Sequence, residues 1–201
     1  MRAGSEPVSF WRVWLTAYVN PVRAVEGLRD KPAPHWGLYG VLVRCAFVSL
    51  LWYLPAYLLG RVPSATPYLT FLTADNYYAA AILIFPLVTL MMWLLDGVLA
   101  HVVLRLMGRE SDIDQILNID GIGYAILGPP ILVVDWLTLA LGGDSAMVLW
   151  GLIHLVVDLW YILFVTIGLK RILRLPLWLA IALVVLWFVY SIPLAMLFFV
   201  P

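Results

Sequence analysis

The stretch LAIALVVLWFVY (residues 179–190) is apolar at every position and carries no charge. Strands of a membrane β-barrel alternate between polar and apolar residues, so this stretch does not fit one. A membrane helix satisfies its own backbone hydrogen bonds and needs about 20 apolar residues to cross ~30 Å of hydrocarbon. The stretch lies inside an apolar run from 177 to 200 that is long enough. It therefore predicts a transmembrane α-helix and excludes a β-barrel.

The whole chain has the composition of an integral membrane protein. Of its 201 residues, 64% are hydrophobic and 12% are charged, against about 45–50% and about 25% in soluble domains. Ten Trp and ten Tyr fit the aromatic belts at membrane–water interfaces. The formal net charge of +0 argues against a nucleic-acid partner, so the lipid bilayer is the expected partner. The single cysteine, Cys45, cannot form an internal disulfide and is interpreted as a packing residue.

Four further apolar runs have the length of a membrane helix, and we predict spans at 35–59, 79–107, 121–141 and 146–169. The predicted fold class is all-α, an integral membrane five-helix bundle formed by residues 35–201. With five spans, the basic residues of the N-terminal segment and of the connections near 105–109 and 170–174 fall on one side. Basic loops stay in the cytoplasm, which predicts a cytoplasmic N-terminus and an external C-terminus.

Residues 1–34 are predicted to form a cytoplasmic or interfacial amphipathic segment. Apolar side chains recur at helical spacing in its first helix, at Phe10, Trp11, Trp14, Leu15 and Tyr18. Asn20 and Pro21 suit the cap and the first position of a second short helix. We expect both helices to lie in the cytoplasmic interface, with a soluble arm packed on loops as the alternative. Another short amphipathic helix is predicted at 114–119, before the third span.

Asp96, Asp135, His154 and Asp158 lie deep inside the predicted spans. An ionisable group at such depth costs about 2.5–3.5 kcal/mol on insertion scales. His154 and Asp158 are four residues apart, so they share one helix face. Asp135 follows the proline pair 129–130, which is expected to kink or break the third span. Breaks of this kind often border binding sites, so these four residues are the candidate functional residues.

Several interpretations of the four residues remain open. Buried hydrogen bonds could join the helices, at about 0.6 kcal/mol per bond. Carboxylates and imidazole also suit a divalent metal such as zinc, with Asp96, Asp135, His154 and Asp158 as candidate ligands. The carboxylates could instead take up and release protons. A membrane hydrolase is disfavoured because the chain has neither HExxH nor GxSxG, and no Gly-x-Gly-Asp element near these aspartates.

Three segments resemble those of a known family. YVNPVRAVEGLRDKP (18–32) contains an Asn-Pro, a short amphipathic helix and a charged stop before the first span. RESDIDQILNIDGIGYAILGPPIL (109–132) contains an amphipathic helix that leads into Gly123 and Tyr124, followed by the proline pair. Together with the basic tail IGLKRILRLP (167–176) of the fourth span, these segments resemble prokaryotic Yip-domain proteins.

The resemblance implies five spans, a cytoplasmic N-terminus and a location in a prokaryotic cell membrane. Eukaryotic members are associated with Rab-type GTPases and vesicle traffic, but they carry a longer N-terminal segment, so a Rab partner is not expected. No catalytic residue is carried over, and enzymatic activity is not expected. The predicted function is a non-enzymatic membrane scaffold or trafficking-type factor, with protein partners or self-association. The alternative is a small transporter or an ion- or metal-binding membrane protein that uses the Asp/His cluster.

Overall fold

Helices form the framework of the molecule. The computed structural model describes residues 8–31, 33–63, 66–141 and 144–198, and within them it contains no strand. Five helical segments are long and apolar enough to cross a membrane, namely His35–Leu58, Tyr77–Leu106, Ile113–Ala140, Val148–Ile172 and Leu177–Phe198. These segments confirm the predicted all-α fold with five candidate membrane spans.

The first span is assembled from three pieces, whereas each of the other spans is a single helix. In chain order the helices are α1 (Phe10–Val19), α2 (Pro21–Leu28), α3 (His35–Val48), α4 (Leu54–Leu58), α5 (Tyr77–Leu106), α6 (Ile113–Leu141), α7 (Asp144–Ile172) and α8 (Leu177–Phe198). A π-helical stretch, Ser49–Tyr53, joins α3 to α4. Consecutive spans run in opposite directions. The side on which α3, α6 and α8 begin, and α5 and α7 end, is called the near side.

The third span departs most from its predicted bounds. The sequence predicts a start at residue 121 after a separate helix at 114–119, whereas α6 is continuous over Ile113–Leu141. Its first turns carry Gln115, Asn118 and Asp120, which are buried among neighbouring helices and therefore do not end the span. Residues 142–143 of the predicted external loop and 199–200 of the fifth predicted span lie outside the described residues.

The helix α6 occupies the centre of the bundle, and its residues 115–128 are all buried. Glycines allow α3 to approach it closely. A Cβ added to Gly37 would overlap the carbonyl group of Leu117, and one added to Gly121 would overlap the carbonyl group of Gly37. At the same contact, the N–H of Gly37 donates to Asn118 Oδ1 over 2.8 Å. Small residues let the backbones of membrane helices meet in this way, and here they fix α3 against α6.

Prolines inside the helices leave backbone carbonyl groups without their usual partner. Proline has no N–H, so the carbonyl four residues earlier loses its helical donor, and inside a membrane it must find another. At the end of the π-helical stretch Pro55 cannot donate to the carbonyls of the preceding turn, and the carbonyl of Leu51 in that turn accepts from Trp136 Nε1 of α6 over 2.8 Å. We call such a group a proline-freed carbonyl, and this one joins the first span to the third.

The second span repeats the arrangement. Pro86 lies inside α5 and frees the carbonyl of Ile82. Ser49 Oγ, from the π-helical stretch of the first span, donates to that carbonyl over 3.1 Å. A hydroxyl group therefore replaces the missing backbone N–H, and the bond ties the first span to the second.

The proline pair 129–130 frees two consecutive carbonyls in the middle of α6, and α1 supplies a donor for each. Trp14 Nε1 donates to the carbonyl of Ala125 over 3.0 Å, and the Tyr18 hydroxyl donates to the carbonyl of Ile126 over 2.9 Å. The expected break in the third span does not occur, since α6 stays helical through the pair. The donors of α1 satisfy the carbonyls that the prolines release.

The helices α1 and α2 form a hairpin that packs on the bundle. As predicted, Asn20 caps α2, because its Oδ1 accepts from the N–H of Arg23 over 3.0 Å, and Pro21 lies in the first turn. The carbonyl of Ala17 lies in the last turn of α1, where the helix itself provides no donor, and it accepts from Trp160 Nε1 of α7 over 3.1 Å. The hairpin is therefore bonded to the third and the fourth span.

Candidate functional site

Two buried aspartates and three tyrosines form a polar cluster between the spans, here called the carboxyl centre. Asp96 of α5 is 1% exposed and Asp120 of α6 is 0% exposed. The hydroxyl of Tyr124 donates to Asp96 Oδ2 over 3.2 Å, and the hydroxyl of Tyr190 donates to Asp96 Oδ1. The hydroxyl of Tyr161 donates to Asp120 Oδ1 over 2.6 Å. Four spans thus contribute a side chain to the carboxyl centre.

The first span contributes a positive charge at the edge of the carboxyl centre. The guanidinium carbon of Arg44, on α3, lies 5.1 Å from the centroid of the Tyr124 ring. That distance is within the range of a cation–π interaction. The ring of Tyr124 thus lies between the guanidinium group and the hydrogen bond to Asp96. With Arg44 included, all five spans meet at this place.

Asp96 and Asp120 are both buried, and Tyr124, one turn after Asp120 on α6, donates to Asp96, so the two carboxyl groups are close neighbours. Among the described residues, Asp120 Oδ2 has no hydrogen-bond donor. Two adjacent buried carboxylates repel each other, and each pays a large desolvation cost. A single proton held between Asp96 and Asp120 would remove one of the two charges and give Asp120 Oδ2 a partner. The arrangement is therefore chemically suited to binding one proton.

Local sequence explains why these side chains can converge. Asp120 and Tyr124 are four residues apart on α6, so they share one face of the helix. Gly123 lies beside Tyr124, and a Cβ added to it would come within 2.7 Å of the Tyr161 ring. Gly97 follows Asp96, and an added Cβ there would overlap the side chain of a leucine on α6. The glycines therefore let α5 and α7 come close enough to α6 for the hydrogen bonds to form.

A second polar pair joins α6 to α7 towards the opposite side of the membrane. His154 Nε2 and Asp135 Oδ1 lie 3.0 Å apart. Trp150 Nε1 donates to the same carboxylate oxygen over 2.7 Å, and the rings of Trp150 and His154 are 4.1 Å apart. Asp158, one turn beyond His154, is half-buried. The pair of Asp135 and His154 therefore joins α6 to α7 near the end of the bundle where these two helices are connected.

The structure brings together only some of the residues predicted to form one site. Asp135 and His154 are in contact, but Asp96 belongs to the carboxyl centre. Asp135 follows Asp120 by 15 residues on α6, which places the two roughly 22 Å apart along the helix. Among the described residues, no group of three or more His, Cys, Asp or Glu side chains is arranged to hold a metal ion. Metal binding at the four predicted residues stays a prediction, with its ligands divided between two places.

Asp120 is the functional candidate that the sequence interpretation missed. The sequence predicted a short helix at 114–119 and a third span from residue 121, which left Asp120 between them and outside the span. The sequence did contain a sign that this segment is buried. Gln115, Asn118 and Asp120 come shortly before Tyr124, which lies one helical turn after Asp120. All three of these polar side chains prove to be buried. Recognising them as the buried start of a span would have placed Asp120 beside Asp96.

Comparison of the chain with family models, with curated proteins and with solved structures finds no match.

Proposed function

We propose that this polytopic membrane protein is a non-enzymatic scaffold or trafficking-type factor of the Yip type, in which the carboxyl centre holds the five spans in one arrangement. The observation that carries the proposal is the composition of that centre, to which every span contributes a polar or charged side chain. The predicted orientation, with a cytoplasmic N-terminus in a prokaryotic cell membrane, belongs to the proposal. A fixed bundle of this kind presents constant surfaces to protein partners and to lipid.

The packing around α6 supports a static bundle. A transporter of the alternating-access type moves one group of helices against another around its site. Here the backbones of α3 and α6 touch at Gly37 and Gly121, and proline-freed carbonyls in three helices are bonded by donors from neighbouring helices. Sliding α6 would break these bonds inside the membrane, where no water replaces them. The free energy lost with these hydrogen bonds opposes helix sliding, which favours a structural role for the polar side chains.

Stability measurements on the purified protein in detergent micelles test the proposal. Asp96→Leu removes the acceptor for two tyrosine hydroxyls, and we expect the Tm to fall by several degrees, at roughly 2–4 °C per kcal/mol. Asp96→Asn keeps an acceptor oxygen and should lower the Tm less. Asp75→Asn, at an exposed loop position, is the matched control and should leave the Tm unchanged. The scaffold role predicts that Na⁺ and Zn²⁺ shift the Tm of the wild type and of the Asp96 variants equally.

The second candidate is a small proton- or ion-coupled transporter, and the partnerless Asp120 Oδ2 favours it. This candidate predicts a Tm that depends on a monovalent cation in the wild type, whereas a pH dependence alone is expected of any buried carboxyl pair. Asp120→Asn supplies an amide donor towards Asp96 without a titrating group, so the dependence should disappear in that variant. Proteoliposomes with a pH-sensitive dye inside provide the transport measurement. A proton flux that is present in the wild type and lost in Asp120→Asn contradicts a purely structural role.

A further inference from the structure

We propose that α1 and α2 form a half-membrane hairpin, which enters the bilayer from the near side, turns at Asn20 and Pro21 near mid-membrane, and returns to the near side. Its partner is the acyl-chain layer of one leaflet. The hairpin is not one of the five spans, and its placement does not depend on the function of the carboxyl centre.

The deep end of the hairpin touches the middle of three different spans. Trp14 packs against Phe47, with ring centroids 6.4 Å apart, and Phe47 is the central residue of the span over 35–58. Tyr18 donates to the carbonyl of Ile126, at the centre of the span over 113–140. Trp160 donates to the carbonyl of Ala17 and is the central residue of the span over 148–172. These contacts place the end of α1, at residues 17–18, near the level of the bilayer centre, and the indole group of Trp14 reaches to the same level.

The start of α1 lies at the near side. The ring of Phe10 packs edge-on against Trp36 and Tyr39, with centroids 6.3 and 6.2 Å apart, and both partners belong to the first turns of α3. From Phe10 to Tyr18 the helix rises roughly 12 Å. This rise accounts for the passage of α1 from the edge of the bundle to its middle.

The end of α2 returns to the same side. Glu26 accepts from Arg171, in the last turn of α7, over 3.2 Å. Gln115, in the first turn of α6, donates to the carbonyls of Arg29 and Lys31 over 2.9 and 2.8 Å. The eight residues of α2 rise roughly 12 Å, which matches the return distance. Together, α1 and α2 therefore have the lengths needed to enter the bilayer from the near side, reach its middle and return to the same side.

The outer face of α1 is suited to lipid over its whole length. Trp11, Leu15 and Val19 are 56%, 61% and 82% exposed, and their spacing of four residues places them in one stripe. The opposite side of the hairpin borders a groove of about 370 Å³ between α1 and α2, which includes Arg12 and Arg23. Arg12, two residues after Phe10, is close enough to the near side for its side chain to reach the headgroups. Arg23 follows the turn by two residues and is exposed, so the proposal places its charge in the deep part of this groove. An apolar stripe that runs from the near side to mid-membrane requires acyl chains as its partner.

An interfacial hairpin and a half-membrane hairpin differ in the depth profile of this stripe. In a helix lying in the interface plane, Trp11, Leu15 and Val19 are equally shallow. In the half-membrane hairpin each step of four residues lies roughly 6 Å deeper than the one before. The contacts favour this deeper placement over the interfacial one predicted from the sequence.

Site-directed spin labelling in proteoliposomes measures that profile. The only cysteine, Cys45, is buried, so Cys45→Ser provides the background for single Trp11→Cys, Leu15→Cys and Val19→Cys variants. Relative collision rates with oxygen and with a water-soluble nickel chelate report the depth of each label. Leu177→Cys and Val189→Cys provide the calibration, because both positions are exposed on α8, one at its near end and one close to its middle.

The expected result is a depth that increases from position 11 to position 19, with the Val19→Cys label as deep as the Val189→Cys label. A flat profile, with the Val19→Cys label as shallow as the Leu177→Cys label, overturns the proposal. The three stripe positions are exposed, so the substitutions leave the core intact. A Tm within a few degrees of the Cys45→Ser parent identifies the variants that retain the fold. The outcome is independent of the ion and pH tests of the carboxyl centre, so either proposal can fail alone.

Discussion

Removing the Tyr18 hydroxyl tests whether proline-freed carbonyls depend on side-chain donors. In Tyr18→Phe the carbonyl of Ile126 loses its donor at 2.9 Å, and Pro130 cannot replace it. Side-chain hydrogen bonds in membrane bundles average about 0.6 kcal/mol and reach about 1.7 kcal/mol. Because this acceptor has no backbone alternative, we expect a loss in the upper part of that range, about 1–1.7 kcal/mol of the free energy of unfolding.

A double-mutant cycle gives the decisive comparison. Pro130→Ala restores an N–H four residues after Ile126, so the carbonyl regains its helical donor. In that background Tyr18→Phe should cost about 0.5 kcal/mol or less, which corresponds to a coupling energy of about 1 kcal/mol between the two positions. Pro193→Ala, in the last turns of α8, is the control, and its effect should add to that of Tyr18→Phe.

Equilibrium unfolding in mixed micelles, followed by circular dichroism, measures the four corners of the cycle. The cycle is measured at neutral pH, where a tyrosine hydroxyl with its ordinary pKa of about 10 is protonated. An equal cost of Tyr18→Phe in both backgrounds refutes the proposed role of the proline.

Four further substitutions, one of them a control, have expected outcomes in the same unfolding measurement. Gly37→Ala places a methyl group onto the backbone of α6. It should lower the free energy of unfolding by about 3 kcal/mol or more, on the order of the largest single-mutant effects. Gly151→Ala, with open space around it, is the control and should leave the free energy of unfolding unchanged or raise it. Trp136→Phe leaves the carbonyl of Leu51 without its donor and should cost about 1 kcal/mol. Glu26→Gln weakens an exposed ion pair and should change stability by less than about 0.5 kcal/mol; a loss of 2 kcal/mol would show that this pair is shielded from water.

Features that depend on neighbouring residues in the sequence could be predicted. The five spans follow from runs of apolar residues, and the start of α2 follows from Asn20 and Pro21. Each of these features is decided within one or two helical turns, where periodicity and proline chemistry act directly.

The donors that complete the structure could not be predicted, because they come from remote parts of the chain. Trp136 is 85 residues from its acceptor, and Trp160 is 143 residues from its own. From composition, tryptophans were assigned to interfacial belts, yet these two indole groups bond to backbone carbonyls of other helices. Asp120 was missed for a related reason. Only the packing of α5 and α7 around α6 shows that this polar side chain is enclosed.

The bonds between the hairpin and the bundle impose an order of events during synthesis. Trp14 is synthesised 111 residues before its acceptor Ala125, and Ala17 is synthesised 143 residues before its donor Trp160. Until the third and fourth spans are inserted, the polar groups of the hairpin have no partner except water. We therefore expect this segment to stay at the membrane surface while the third and fourth spans are made. We expect it to take its final position only after those spans are inserted, although it is translated before them.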